Sequence, residues 1–232
     1  MTRYALEPGE VHVWRTELVQ PDEVLHKFWP TLNADEAQRA NRFHFEEHRR
    51  GFVVARGFLR EVLSRYLDAK PESLQFSYSA YGKPALNGEH KGTRLRFNLS
   101  HSHNLALLAV TEDSEIGVDV EYMRADFAGA DIARRFFSRA EVATFDALAE
   151  KDRVAAFFRC WTRKEAFIKA TGKGMSQALD AFDVTLAPGV AAELLRVDQE
   201  DASRWFLSDI EIDSGYAAAL AVEGRVSKIK LL

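Results

Sequence analysis

Gly117-Val118-Asp119-Val120-Glu121 is the stretch on which the fold turns. With Ile116 before it, apolar Ile116, Val118 and Val120 alternate with Gly117, Asp119 and Glu121. That period of two predicts a strand with one face in a core. The two acids leave the same face, with backbone origins about 6.5 Å apart. Their side chains can therefore converge on one cation. Downstream lies Trp161-Thr162-Arg163-Lys164-Glu165-Ala166-Phe167-Ile168-Lys169-Ala170-Thr171-Gly172-Lys173-Gly174. Here the spacing is helical. Glu165 and Lys169, at i and i+4, share a face with Trp161, and Gly172 and Gly174 end the helix.

Working outward, the arrangement of long helix then strands occurs twice. Val11–Trp14 reads as a first strand. Asn33 caps a helix whose acidic start, Asp35 and Glu36, suits the positive helix end. Helical spacing runs to about Leu67, with a break expected around Glu46–His48. The remaining positions carry Arg39, Arg42, Arg49, Arg50, Arg56, Arg60 and Arg65, which read equally well as a solvated face. Pro71 ends that helix. Strands follow at Leu74–Tyr78, Leu95–Ser100 and Leu105–Thr111, with a turn at Tyr81-Gly82-Lys83-Pro84. In the second half, Ser138-Arg139-Ala140-Glu141 is a capping-box pattern. A helix covers about Asp152–Thr171, and strands are expected at Phe182–Leu186, Arg204–Ile212 and Tyr216–Val222. The fold class expected is α+β, in two similar halves at residues 1–110 and 111–232.

Each candidate has a bland alternative. Asp119 and Glu121 alone fit a polar strand face. Glu165 and Lys169 alone fit a helical ion pair stabilising by about 0.2–0.5 kcal/mol. Ser100 and His101, at a strand end, offer a hydroxyl, an imidazole and backbone N–H groups to a phosphate. A catalytic Ser–His pair is disfavoured because no G-x-S-x-G elbow is present. Zinc ligation by His101 and His103 is disfavoured because no further ligand spacing accompanies it. His103 reads as structural, and Trp161 and Phe167 as core. No Walker A loop or dinucleotide fingerprint occurs.

The bulk properties exclude other classes. The chain has 232 residues, 47% hydrophobic and 28% charged, a globular balance. Its net charge of −4 argues against a dedicated nucleic-acid binder. The single cysteine, Cys160, fits a reducing cytoplasm and reads as a small apolar residue rather than a nucleophile. The first residues lack the apolar stretch of a signal peptide, and no apolar run reaches membrane-spanning length, so neither secretion nor a membrane partner is expected.

Taken together, Tyr81-Gly82-Lys83-Pro84, Asn98-Leu99-Ser100-His101, Gly117–Glu121, Arg135-Phe136-Phe137-Ser138 and Trp161–Gly174 stand in an order that resembles the 4′-phosphopantetheinyl transferases of the monomeric surfactin-synthetase-activating type. The likeness spans roughly residues 36 to 186. It implies two α+β halves in pseudo-twofold arrangement with coenzyme A between them. It implies transfer of the phosphopantetheine arm to a serine of an apo acyl, peptidyl or aryl carrier protein, the holo-[acyl-carrier-protein] synthase reaction. By the same resemblance, Asp119, Glu121 and Glu165 match the Mg2+-binding acids and Lys169 the lysine near the pyrophosphate. Gly82, Lys83, Pro84, Ser100 and His101 match coenzyme A contacts, and Arg39 a nucleotide-phosphate contact. Glu36 stands where some relatives carry a lysine, with Arg49, Arg50 or Arg56 as possible substitutes. Arg134, Arg135 and Arg139, beside Phe136 and Phe137, form a candidate docking patch for an acidic carrier. A monomer is expected. The alternatives are a metal-dependent phosphohydrolase and a non-catalytic coenzyme A- or carrier-binding module.

Overall fold

Which face of each strand is apolar decides the layering. The computed structural model describes residues 3–198 and 200–232. The elements run β1 (Glu10–Glu17), α1 (Asp22–Phe28), α2 (Ala34–Asn41), α3 (Glu46–Leu67), β2 (Gln75–Tyr78), β3 (Pro84–Asn87), β4 (Leu95–Ser102), β5 (Leu105–Glu112) and β6 (Ile116–Tyr122). They continue with α4 (Ala130–Phe136), α5 (Arg139–Asp146), α6 (Glu150–Thr171), β7 (Phe182–Val184), β8 (Leu194–Val197), β9 (Trp205–Asp209), β10 (Tyr216–Glu223) and β11 (Lys228–Leu231). One sheet has the order β11-β1-β5-β4 and a second the order β6-β10-β9; β2–β3 and β7–β8 are separate hairpins.

The two main sheets share a core. Val11, Val13, Leu105, Leu107 and Ala109 from the first sheet meet Ile116, Val118, Val120, Leu220 and Val222 from the second. The opposite face of the first sheet, with Trp14, Ala106, Leu108 and Val110, is covered by Val54, Phe58, Leu59 and Val62 of α3. The opposite face of the second, with Ala219 and Ala221, is covered by Phe167 and Ala170 of α6. The result is helix, sheet, sheet, helix: an α+β fold in which each helix buries one stripe on one sheet.

Local chemistry explains the helix ends. Asn33 and Glu36 form a reciprocal capping box at α2, and Ser138 and Glu141 do the same at α5. Helix α6 stops at Gly172, whose φ of +68° is the left-handed cap expected there. The break between the first-half helices lies at Arg42–Phe45 rather than Glu46–His48, because α3 already begins at Glu46. Helices α1 and α4 and strands β3, β8 and β11 were not anticipated; each is eight residues or shorter. Strand β11 pairs in parallel with β1, so the last strand of the chain joins the first sheet. Among the described residues no helix is long and apolar enough to cross a membrane.

Candidate active site

Strand β6 turns Val118 and Val120 into the shared core, which leaves Gly117, Asp119 and Glu121 facing α6. Gly117 lets the helix come close: a Cβ there would collide with the Ala166 carbonyl and the Ala170 amide nitrogen, and would stand 2.9 Å from the Lys169 carbonyl carbon. That approach brings Lys169 over Asp119. Lys169 Nζ lies 2.6 Å from Asp119 Oδ1 and donates to Ser100 Oγ at 2.8 Å. Ser100 Oγ in turn donates to Asp119 Oδ1 at 3.0 Å.

The first sheet contributes through β4. Its residues Asn98, Ser100 and Ser102 share one face by the period of two. Asn98 Oδ1 accepts the Val118 amide at 2.9 Å, and Ser102 Oγ donates to Glu121 Oε2 at 2.7 Å while accepting the Tyr122 amide at 3.1 Å. Strands β4 and β6 belong to different sheets, so this side-chain ladder joins the two halves at the acids. Ser102 escaped the sequence reading, although its spacing from Ser100 matches that of Glu121 from Asp119.

The electrostatics are those of crowded carboxylates. Burial raises the pKa of Asp119 against the pull of Lys169 and Ser100. Burial raises that of Glu121, with the Asp119 charge adding to it. Burial, then the charges of Asp119 and Glu121, raises that of half-buried Glu165. Buried carboxylates whose ionisation is opposed by burial, and at Glu121 and Glu165 also by the Asp119 charge, suit a bound cation. Asp119 Oδ2 is buried without a hydrogen-bond partner among the described residues, a lone pair free for a metal. The donor set, all carboxylate oxygen, suits a hard ion such as Mg2+. As placed, the three acids are not a finished chelate: among the described residues no group of three His, Cys, Asp or Glu side chains is arranged to hold a metal ion. Asp119 Oδ1 and Glu121 Oε2 are turned instead to Ser100, Lys169 and Ser102.

His101 is open to solvent on the other face of β4. The protein around its ring, then the charges of Lys169 and Arg39, lowers its pKa. Arg39, Lys169 and His101 thus bear on one region from three elements. Arg39 is exposed, lies 5.3 Å from the centre of the Phe52 ring, and makes no ion pair among the described residues. Gly82 has φ +81° in the turn before β3. Lys83 Nζ is engaged rather than free, 3.0 Å from both Glu115 Oε2 and the Ala170 carbonyl at the end of α6. Pro84 begins β3 and lines a cavity of about 460 Å3 with Lys83, Tyr78, Arg96 and Glu115.

Several expectations need correction. Glu36 is a buried structural acid, ion-paired with Arg56 and with Arg60 at 2.7 Å. Arg56 is therefore consumed by Glu36 and unavailable as a substitute phosphate contact. Arg49 pairs with Glu46 and Arg50 with Asp22. Phe137 is buried and belongs to the core rather than to a docking patch. Arg134 is shared between Asp131 and Asp146, whereas Arg135 lies over the Phe136 ring. Trp161 packs against the core on Phe127, Phe136 and Phe157, as read, while its half-buried side also lines a cavity of about 360 Å3 beside Glu121, with Ser102, His103, Tyr122, Phe127 and Phe158. His103 sits at the β4–β5 turn with φ +50° and stacks on Tyr122. Phe167 and Cys160 are fully buried as expected, and burial pushes the Cys160 thiol well up.

The site thus lies where β4 of one sheet meets β6 of the other and α6, with Lys169 bonded to Asp119 and Ser100. Residues 115–221 match the 4'-phosphopantetheinyl transferase superfamily, and residues 19–113 match the 4'-phosphopantetheinyl transferase N-terminal family. The 4'-phosphopantetheinyl transferase HetI of Nostoc sp. is 42% identical over 215 residues, covering 93% of this chain and 88% of that protein. The 4'-phosphopantetheinyl transferase Sfp of Bacillus subtilis is 28% identical over 194 residues, covering 84% and 83%. The chain belongs to the 4'-phosphopantetheinyl transferase family, and it is a transferase of the phosphopantetheine arm.

Proposed function

We propose that the enzyme moves the 4′-phosphopantetheine arm of coenzyme A to a serine hydroxyl of an apo acyl, peptidyl or aryl carrier protein, with Mg2+ bound by Asp119, Glu121 and Glu165. The observation that carries this reading is the Lys169–Asp119–Ser100 cluster where α6, β6 and β4 meet, with the unpartnered Asp119 Oδ2 beside it and the charges of Asp119 and Glu121 acting on Glu165. When bound, the metal would neutralise charge on the pyrophosphate. Glu165 takes the proton of the carrier serine, directly or through water, because a serine hydroxyl is a weak nucleophile. The serine oxygen bonds to the phosphorus that bears pantetheine, and the bond from that phosphorus to the bridging oxygen breaks. Lys169 meets the charge that develops on the departing adenosine 3′,5′-bisphosphate.

The remaining residues supply binding. Arg39 and His101 face the nucleotide phosphates, Ser100 holds Lys169, and Gly82, Lys83 and Pro84 form the wall by the nucleoside. The aromatic cavity beside Glu121 offers Phe127, Phe158 and Trp161 to the pantetheine arm. Arg135 and Arg139 face the acidic carrier. The proposed setting is cytoplasmic and the working unit a monomer.

Incubating the protein with coenzyme A, Mg2+ and an apo carrier, and reading intact mass, tests this. The arm appears on the carrier only when all components are present. Splitting of coenzyme A without carrier, with no mass gain on the carrier, would identify a phosphohydrolase instead.

A further inference from the structure

Arg163 and Lys164 immediately precede Glu165 on α6, and neither side chain enters the acid cluster. Successive residues of an α-helix point about 100° apart, so the three leave the helix in three directions. Arg163 is fully buried. Its Nε and Nη2 grip both oxygens of Asp209 on β9 at 2.8 and 2.6 Å, and its Nη1 donates to the Thr185 carbonyl and hydroxyl at 2.5 and 2.9 Å. Lys164 is also fully buried. Its Nζ donates to the Leu179 and Phe182 carbonyls at 2.7 and 2.6 Å and pairs with Glu141 of α5 at 2.8 Å. All three ammonium donors are used. Glu141 is itself fixed, accepting the Ser138 and Val184 amides at 2.8 Å each.

Stability alone does not explain this arrangement. A buried ion pair is often no more stable than apolar side chains of similar volume. The neighbouring positions Phe157, Phe158, Cys160, Phe167 and Ile168 are apolar and buried. What directional bonds add is a defined helix rotation and axial position. Gly117 sets how near α6 lies to β6, but a smooth backbone contact does not stop the helix turning. Bonds in two other directions do.

We propose that Lys164, with Arg163 as its counterpart, is a positioning residue that aims Glu165 at Asp119 and Glu121. This rests on the assignment of Glu165 to the acid site. Misplacing a reacting group by about 1 Å can cost about 10²-fold in rate. Replacing Lys164 by methionine keeps length and removes the three bonds.

The test is a double-mutant cycle on Glu165→Gln, Lys164→Met and the pair. Its readouts are turnover with an apo carrier, KM for coenzyme A, Mg2+ affinity by calorimetry, and thermal midpoint. Lys164→Met should lower turnover by about 10²-fold, weaken Mg2+ binding and leave the coenzyme A KM nearly unchanged. In the Glu165→Gln background it should cost little more, because the residue it aims is already lost. Additive losses, or a lowered thermal midpoint with unchanged turnover and Mg2+ affinity, overturn the proposal. If Glu165→Gln alone changes neither turnover nor Mg2+ affinity, the assignment of Glu165 fails first and the positioning role with it. Asp209→Asn, at the partly exposed end of the Arg163 fork, covers the case in which Lys164→Met does not fold. It should show a smaller loss that is likewise absent in the Glu165→Gln background, and unchanged turnover counts against the proposal.

Discussion

Gly117 of β6 lies so close to Ala166 of α6 that a methyl group on it would collide with the Ala166 carbonyl oxygen. The obstacle is helix backbone, which cannot swing aside as a side chain would. Gly117→Ala must therefore lift α6 from the sheet, and with it Glu165 and Lys169. Overpacking of this kind costs about 1–3 kcal/mol of stability. Activity should suffer more, with turnover falling by about 10²-fold in a protein that still folds. Thermal unfolding and carrier modification measured on the same sample separate the two effects.

Lys169→Ala removes the cation that pairs with Asp119 and that the proposed reaction sets against the leaving group. Turnover should fall by about 10²–10³-fold, with a smaller change in coenzyme A affinity, since Arg39 and His101 remain. Calorimetric titration of coenzyme A beside steady-state rates checks this. The reverse pattern would make Lys169 a binding residue only.

Glu36 sets an acid limit on the fold. Burial pushes its pKa up, but Arg56 and Arg60 outweigh that and hold it below the ordinary glutamate value of 4.5. The unfolded chain therefore binds the proton first as pH falls. The stabilisation is complete above 4.5 and is lost as pH drops through the depressed folded value. Urea unfolding across that window should show a steeper loss in the wild type than in Glu36→Gln. At neutral pH the variant should be less stable by about 3–5 kcal/mol, because two buried guanidinium groups lose their partner.

What could be read in advance follows from how local the signal was. The β6 alternation is complete within one strand, so the inward valines and outward acids were legible. The end of α6 was legible because Gly172 takes a conformation that glycine adopts without cost. The partners of Arg56 and Arg60 were not: Glu36 lies on another helix, and an arginine on a helix does not reveal which face meets a neighbour. Strand β11, Lys228–Leu231, does alternate polar and apolar, but over only four residues, and it gains its place by pairing with β1. Ser102 was half legible, since its register with Ser100 was visible but the seam joining β4 to β6 was not.

That seam yields a further prediction. Ser102→Ala removes the hydroxyl bonded to Glu121 Oε2 and should cost about 0.5–1.5 kcal/mol of stability. It should also weaken Mg2+ affinity by about 10-fold, the lower end of losses seen when a group orienting a metal ligand is removed. Calorimetric Mg2+ titration of the two proteins decides it; equal affinities would mean that Ser102 does not orient Glu121.

If the acids on β6 and α6 are the reaction centre of phosphopantetheine transfer, removing the Glu165 carboxylate must stop the reaction. The most direct measurement is the intact mass of an apo carrier followed over time with coenzyme A, saturating Mg2+ and either wild-type or Glu165→Gln enzyme. The wild type should add the arm steadily, and a folded Glu165→Gln protein should lose nearly all of that activity. Near-normal modification by Glu165→Gln would contradict it, removing both the base and the metal-ligand role together.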